Sequence, residues 1–189
     1  MSKKIGIFSG VFDPVHNGHV AFARMAAKEL GLNKVYFLVE PKPRRKKQVS
    51  DINDRQTMVW LAIQGFPELE VLTLPDQTFS VAKTLPWLEQ NFKKTELYML
   101  MGSDLFAFVE TWPGYKDLAK RVAFVVGQRT NEMHDGNPTT LHHLLLTPHA
   151  GVASTAVRTQ KKANTGLISP EVDRYIRLNK LYSSSAKSK

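Results

Sequence analysis

Residues 5–19 read Ile-Gly-Ile-Phe-Ser-Gly-Val-Phe-Asp-Pro-Val-His-Asn-Gly-His. A short apolar run opens into a glycine-rich turn, two histidines three positions apart, and an apolar pattern of helical spacing. In an α/β protein this order of strand, turn and helix presents donors to a phosphate. Gly10 and Gly18 let the backbone approach a ligand closely, and Asp13-Pro14 favours a turn over a continued strand. A helix beginning near Asn17, a reasonable N-cap, places His16 and His19 around its first turn. Free N–H groups and the positive end of the helix dipole attract anions there, and both imidazoles can donate to one phosphate. An ordinary loop is the plain alternative for a histidine pair, and the glycines and preceding strand weigh against it. A metal site fits less well, because no third ligand is spaced nearby and the chain has no cysteine.

Outward from this stretch, strand-like runs recur at residues 5–9, 35–39, 69–72, 97–101 and 122–127, alternating with helical patterns at 17–30, 53–65 and 81–92. Residues 144–146 offer a final strand. Alternation at this spacing predicts an α/β fold, a parallel sheet with helices on both faces, whose ligands bind beyond the carboxyl ends of the strands. The first motif, Gly102-Ser103-Asp104 and the basic stretch after Val39 all fall at such ends. Residues 131–148 carry loop chemistry, and His134, His142 and His143 are read as surface residues.

Gly10 to His19 resembles the His-x-Gly-His signature of the nucleotidylyltransferase superfamily, which follows the first strand of a Rossmann-like sheet. The Phe-Asp-Pro-Val-His-Asn-Gly-His form is most similar to the bacterial nicotinate mononucleotide adenylyltransferases. Three later segments fit. Gly102 and Asp104 match a Gly-x-Asp that in the family holds the adenosine part, and Trp112 matches a tryptophan that stacks on the nicotinate ring. Taken alone, Trp112 reads equally as a core aromatic. Thr78-Phe79-Ser80 resembles an element near the acceptor. Residues 152–158, Val-Ala-Ser-Thr-Ala-Val-Arg, resemble the superfamily's Ile-Ser-Ser-Thr-x-x-Arg element. Ser154 is there a natural N-cap, with a helix from Thr155 and Arg158 close to the same face. A capped surface helix is the plainer reading of that segment, and the closing run at 168–182 favours the functional one.

The resemblance implies a reaction and its site. His16, His19 and Arg158 would be catalytic. Gly10, Val11, Phe12, Gly18, Gly102, Asp104, Ser154, Thr155 and Lys46 would bind ATP, and Trp112, Thr78, Phe79 and Ser80 the acceptor, nicotinate mononucleotide. The acceptor's phosphate monoester is largely a dianion at neutral pH, so no general base is needed, and Mg²⁺ carried by ATP neutralises the β and γ oxygens. Val11 stands where these enzymes carry Thr or Ser, Pro113 replaces a common aromatic residue, and a Pro-Pro-His-Lys segment appears as Pro43-Arg44-Arg45-Lys46-Lys47. Two alternatives follow: a sister enzyme with nicotinamide mononucleotide, phosphopantetheine or a phospho-alcohol as acceptor, or a non-catalytic nucleotide- or RNA-binding protein.

The formal net charge of +9 is concentrated in the stretch at 42–47 and near residues 161–162 and 187–189. A solvated loop is the commonest origin of such a run, an electropositive funnel for a triphosphate comes next, and nucleic acid ranks third because aromatics are not interleaved. A chain of 189 residues, 42% hydrophobic, fits one domain over residues 1–182, with a tail at 183–189 that has nothing to bury. No apolar segment reaches membrane-spanning length and the start lacks a signal-peptide core, so the cytoplasm is the expected location. Oligomeric state is not readable from the residues.

Overall fold

Six apolar stretches become strands: β1 (Lys3–Gly10), β2 (Lys34–Val39), β3 (Leu69–Thr73), β4 (Thr95–Gly102), β5 (Val122–Gln128) and β6 (His142–Leu146). They form one sheet in the order β3-β2-β1-β4-β5-β6, with every neighbouring pair parallel. The computed structural model describes residues 2–42, 49–76, 78–128, 142–146, 154–159 and 166–182. The chain runs outward from β1 in both directions, so the strand order reverses beside β1. In such sheets the crevice at that reversal receives the ligand.

The helices are α1 (Asn17–Leu30), α2 (Ile52–Ala62), α3 (Val81–Asn91), α4 (Ser103–Phe106), α5 (Tyr115–Ala119), α6 (Ser154–Thr159) and α7 (Pro170–Leu178). A 3₁₀ turn occupies Val109–Thr111. The expected strands and the three long helices are all present, and β6 begins two residues before the run expected at 144–146. Helix α2 ends at Ala62, short of the expected 65. The short α4, the 3₁₀ turn and α5 have too few residues for a helical period to register in the sequence.

Burial on both faces explains the continuous apolar strands. Phe8, Tyr98, Leu100 and Val125 pack in one buried cluster with Phe22, Ala23 and Ala26 of α1 and Val172 and Ile176 of α7. Ile5, Ile7, Met99, Met101 and Phe124 pack in a second with Leu85 and Leu88 of α3 and Leu118 of α5. Side chains alternate between the two along β1 to β5, as the period of two requires. Phe37, fully buried, illustrates the energetic scale: truncation to Ala would cost about 3–5 kcal/mol. Helix α1 ends at Gly31, whose φ of +62° supplies the left-handed cap that returns its N–H to Ala27 O. Among the described residues no helix is long and apolar enough to cross a membrane.

Candidate nucleotide site

After Gly10 the chain turns through Asp13-Pro14 into α1. Phe12 adopts a left-handed backbone (φ +48°), and its ring, 3% exposed, folds back over Gly10. A Cβ at position 10 would lie 2.8 Å from that ring. Glycine at position 10 is therefore demanded by packing within the protein, in addition to the close ligand approach expected from sequence. The Phe12 ring meets Phe8 edge-on at 5.2 Å and lies 5.1 Å from His19.

Asn17 is not the N-cap of α1; it is the first helical residue, and the cap is His16. His16 Nδ1 accepts the His19 N–H at 3.3 Å, while His19 Nδ1 accepts the His16 N–H at 3.2 Å. This is a capping box built from two imidazoles, which stack with centroids 3.5 Å apart. An accepting Nδ1 must hold a lone pair, so each neutral ring carries its proton on Nε2. The cap thus fixes both tautomers and leaves the Nε2–H of each ring as its donor.

These rings line a cleft of about 200 Å³ at the carboxyl ends of β1, β4 and β5. Gly10, Val11 and Phe12 line it from the turn, Gly18 from α1, Gly102 and Asp104 from the start of α4. Eight sequence-predicted residues, including both histidines, are therefore brought to one place. Gly127 lines it too and was not singled out from sequence; its one signal was its position at a strand's carboxyl end. Gly102 and Gly127 are register partners on β4 and β5, and a Cβ on Gly102 would meet no atom within 4 Å. Ser9, also on the cleft wall, donates to Glu40 Oε1 at 3.0 Å.

Ser154, Thr155 and Arg158 are not among the cleft-lining residues. They dock α6 against the turn: Ser154 Oγ donates to Pro14 O at 2.9 Å, Arg158 donates to Asp13 O, and Arg158 Nη2 reaches Thr155 Oγ1 at 3.1 Å. Ser154 is thus the first helical residue and a donor to a carbonyl, where an N-cap was expected. Asp13, 3% exposed, is a hub that sequence reading missed. Its Oδ1 accepts from the Tyr182 hydroxyl at 2.6 Å and its Oδ2 from the Ser50 N–H at 3.3 Å. Burial, and then the bond to Asp13, push the Tyr182 phenol far above the usual tyrosine range.

Trp112 and Phe79 meet at 6.0 Å between ring centroids, with Phe79 buried in the second core cluster and Trp112 half-buried against it. Thr78 is half-buried, and Ser80 precedes α3 as its cap without a side-chain cap bond, its N–H going to Thr84 Oγ1 at 3.1 Å. This group is brought together with itself but does not line the cleft around the histidines. His143 is exposed, with Tyr98 6.1 Å away between ring centroids. Lys46, His134 and the 183–189 tail lie outside the described residues, as does most of the basic stretch.

A parallel sheet whose strand reversal opens onto a mutually capped histidine pair defines an α/β nucleotide-binding class. The chain belongs to the cytidylyltransferase-like family, whose model matches residues 7–160. Within it the full-length similarity is to nicotinate-nucleotide adenylyltransferases. The Bacillus subtilis enzyme of that name is 31% identical over 193 residues, covering 96% of this chain and 100% of the relative. A "Probable nicotinate-nucleotide adenylyltransferase" of Neisseria meningitidis is 32% identical, covering 95% and 98%. The fold is shared with Plasmodium falciparum nicotinic acid mononucleotide adenylyltransferase, solved in complex with NaAD: TM-score 0.81, 18% identity, 95% of this chain and 97% of that one.

Proposed function

We propose that this protein is a nucleotidyltransferase of NAD biosynthesis, joining the AMP part of ATP to nicotinate mononucleotide to give deamido-NAD and pyrophosphate. The single observation that carries the mechanism is the reciprocal cap of His16 and His19, which sets both rings in the Nε2–H tautomer on the wall of a cleft at the strand ends. An oxygen of the acceptor's phosphate bonds to the α-phosphorus as the bond from that phosphorus to the bridging oxygen breaks, and pyrophosphate leaves with the electron pair. Charge on the transferring phosphoryl oxygens is met by donors already oriented, so stabilisation needs no proton abstraction.

The remaining roles are our assignments. Gly10, Val11, Phe12 and Gly18 bring backbone to the phosphates; Gly102 and Asp104 hold adenosine; Ser154, Thr155, Arg158 and Lys46 serve the β and γ phosphates; Trp112 with Thr78, Phe79 and Ser80 takes the pyridine ring. ATP enters as its Mg²⁺ complex. The Tyr182 bond to Asp13 supports one domain running to residue 182, and we place the protein in the cytoplasm.

The test is pyrophosphate release from ATP and from CTP with a panel of phosphorylated acceptors. ATP with nicotinate mononucleotide should give the highest kcat/KM; higher turnover of phosphopantetheine or a phospho-alcohol would move the protein to a sister activity. Trp112→Ala should weaken nicotinate mononucleotide use about 5-fold to 150-fold through lost stacking, with ATP binding in the absence of acceptor intact. An equal fall in ATP affinity would return Trp112 to the core.

A further inference from the structure

Arg55 in α2 is 1% exposed, the largest side chain buried to that degree among the described residues. Its guanidinium gives its N–H groups to four backbone carbonyls: Nε to Ser50 (2.8 Å), Nη1 to Val11 (3.0 Å) and Glu40 (2.7 Å), and Nη2 to Pro41 (2.8 Å). These carbonyls belong to three separate segments, namely the turn after β1, the chain leaving β2, and the residue before the α2 cap. Burial lowers the Arg55 pKa, and the neighbouring Asp13 charge opposes that shift. A buried cation that spends its donors on carbonyls holds backbone in place. A lysine could not do so, because its donors radiate from one point and do not span the fork.

The Val11 carbonyl is the informative contact. In a trans peptide the C=O of Val11 and the N–H of Phe12 lie in one plane and point in opposite directions. With the carbonyl turned toward Arg55, the Phe12 N–H stands on the other side, and both residues line the cleft. Among the described residues that N–H meets no protein acceptor. A cationic donor on the carbonyl also polarises the same amide and strengthens its N–H as a donor. Phe12 holds its left-handed backbone (φ +48°) in this same peptide, a conformation that persists only where its surroundings impose it.

We infer that Arg55 is a positioning residue for phosphate recognition, fixing the Val11–Phe12 peptide so that the Phe12 N–H faces the nucleotide's phosphates. This rests on the reading that the cleft takes ATP. Through Glu40, Pro41 and Ser50, Arg55 also ties both ends of the basic stretch to the same turn.

The experiment compares wild type, Arg55→Lys and Met58→Ala, the last a truncation at a buried position of the same helix that reports the effect of lost stability alone. Calorimetry measures ATP and adenosine binding, and pyrophosphate release gives kcat and both KM values. Arg55→Lys should lose about 10-fold to 150-fold in ATP affinity while adenosine affinity and the acceptor KM hold. Met58→Ala should lower the melting temperature without changing the ratio of ATP to adenosine affinity. A wild-type ratio in Arg55→Lys, or an equal change in Met58→Ala, overturns the inference. On the unaltered protein, the Phe12 amide proton should shift downfield with ATP or inorganic pyrophosphate and stay put with adenosine; an amide indifferent to phosphate also overturns it, whether or not the variants fold. A wild type that prefers ATP to adenosine yet releases no pyrophosphate with any acceptor would overturn the enzymatic reading and leave the role of Arg55 standing. A wild type with no such preference would overturn both.

Discussion

His16 and His19 each do two jobs with one ring. The Nδ1 of each is committed to a backbone N–H of the helix start, and the Nε2–H faces the other way. Replacing either by alanine therefore mixes two losses: a phosphate donor, and a helix cap whose removal costs about 0.5–2 kcal/mol of stability. His16→Asn separates them, because an asparagine Oδ1 can accept the His19 N–H as a cap but offers no donor at the Nε2 position. The expected outcome is a melting temperature close to wild type with kcat reduced about 100-fold to 1,000-fold, the scale of one lost oxyanion donor. Turnover near wild type in His16→Asn under saturating ATP would show that His16 serves the helix and not the reaction.

At the scale of elements, the site is where β1, β4 and β5 end and α1 begins, with α6 packed behind the turn. Arg158 and Ser154 hold α6 to the carbonyls of Asp13 and Pro14. Arg158→Lys keeps the charge but removes the planar fork that spans Asp13 O and Thr155 Oγ1. The ATP KM should rise while the acceptor KM stays unchanged, as measured by varying each substrate at saturation of the other. Ser154→Ala should cost about 0.5–1.5 kcal/mol of stability in urea unfolding through the lost bond to Pro14. If Arg158→Lys changes stability but not the ATP dependence, α6 is a structural brace and the triphosphate contacts lie elsewhere.

Over the whole molecule, the chain closes on itself where Tyr182 donates to Asp13 in the first motif. The folded state holds the phenol pKa far above its ordinary value of 10.0. Below pH 10 the phenol is protonated in both folded and unfolded chains, so the contribution is fully present. Above pH 10 the unfolded chain releases the proton and the folded one keeps it, and stability falls by about 1.4 kcal/mol per pH unit from this group. Tyr182→Phe should be less stable than wild type by about 1–3 kcal/mol at neutral pH, since Asp13 loses a donor while buried. The gap should narrow as urea midpoints are followed from pH 9 to 11. A gap independent of pH would place the alkaline titration in other groups.

Much of the architecture was legible in the chain, because apolar runs of strand length and apolar stripes of helical period are local patterns, and burial on both sheet faces leaves strands continuously apolar. The histidine pair was legible for the same reason: glycine, turn and helix start stand within ten residues. What neighbours in sequence cannot carry was decided by the tertiary structure. Gly10 answers to the ring of Phe12, whose place depends on Phe8 and Phe37. Arg55 reads like any surface arginine of a helix until α2 is laid against the ends of β1 and β2. Asp13 reads as a turn former until Ser50, Tyr182 and Arg158 converge on it from distant segments. A buried polar group must find partners wherever the fold brings them, and those partners have no fixed spacing along the chain.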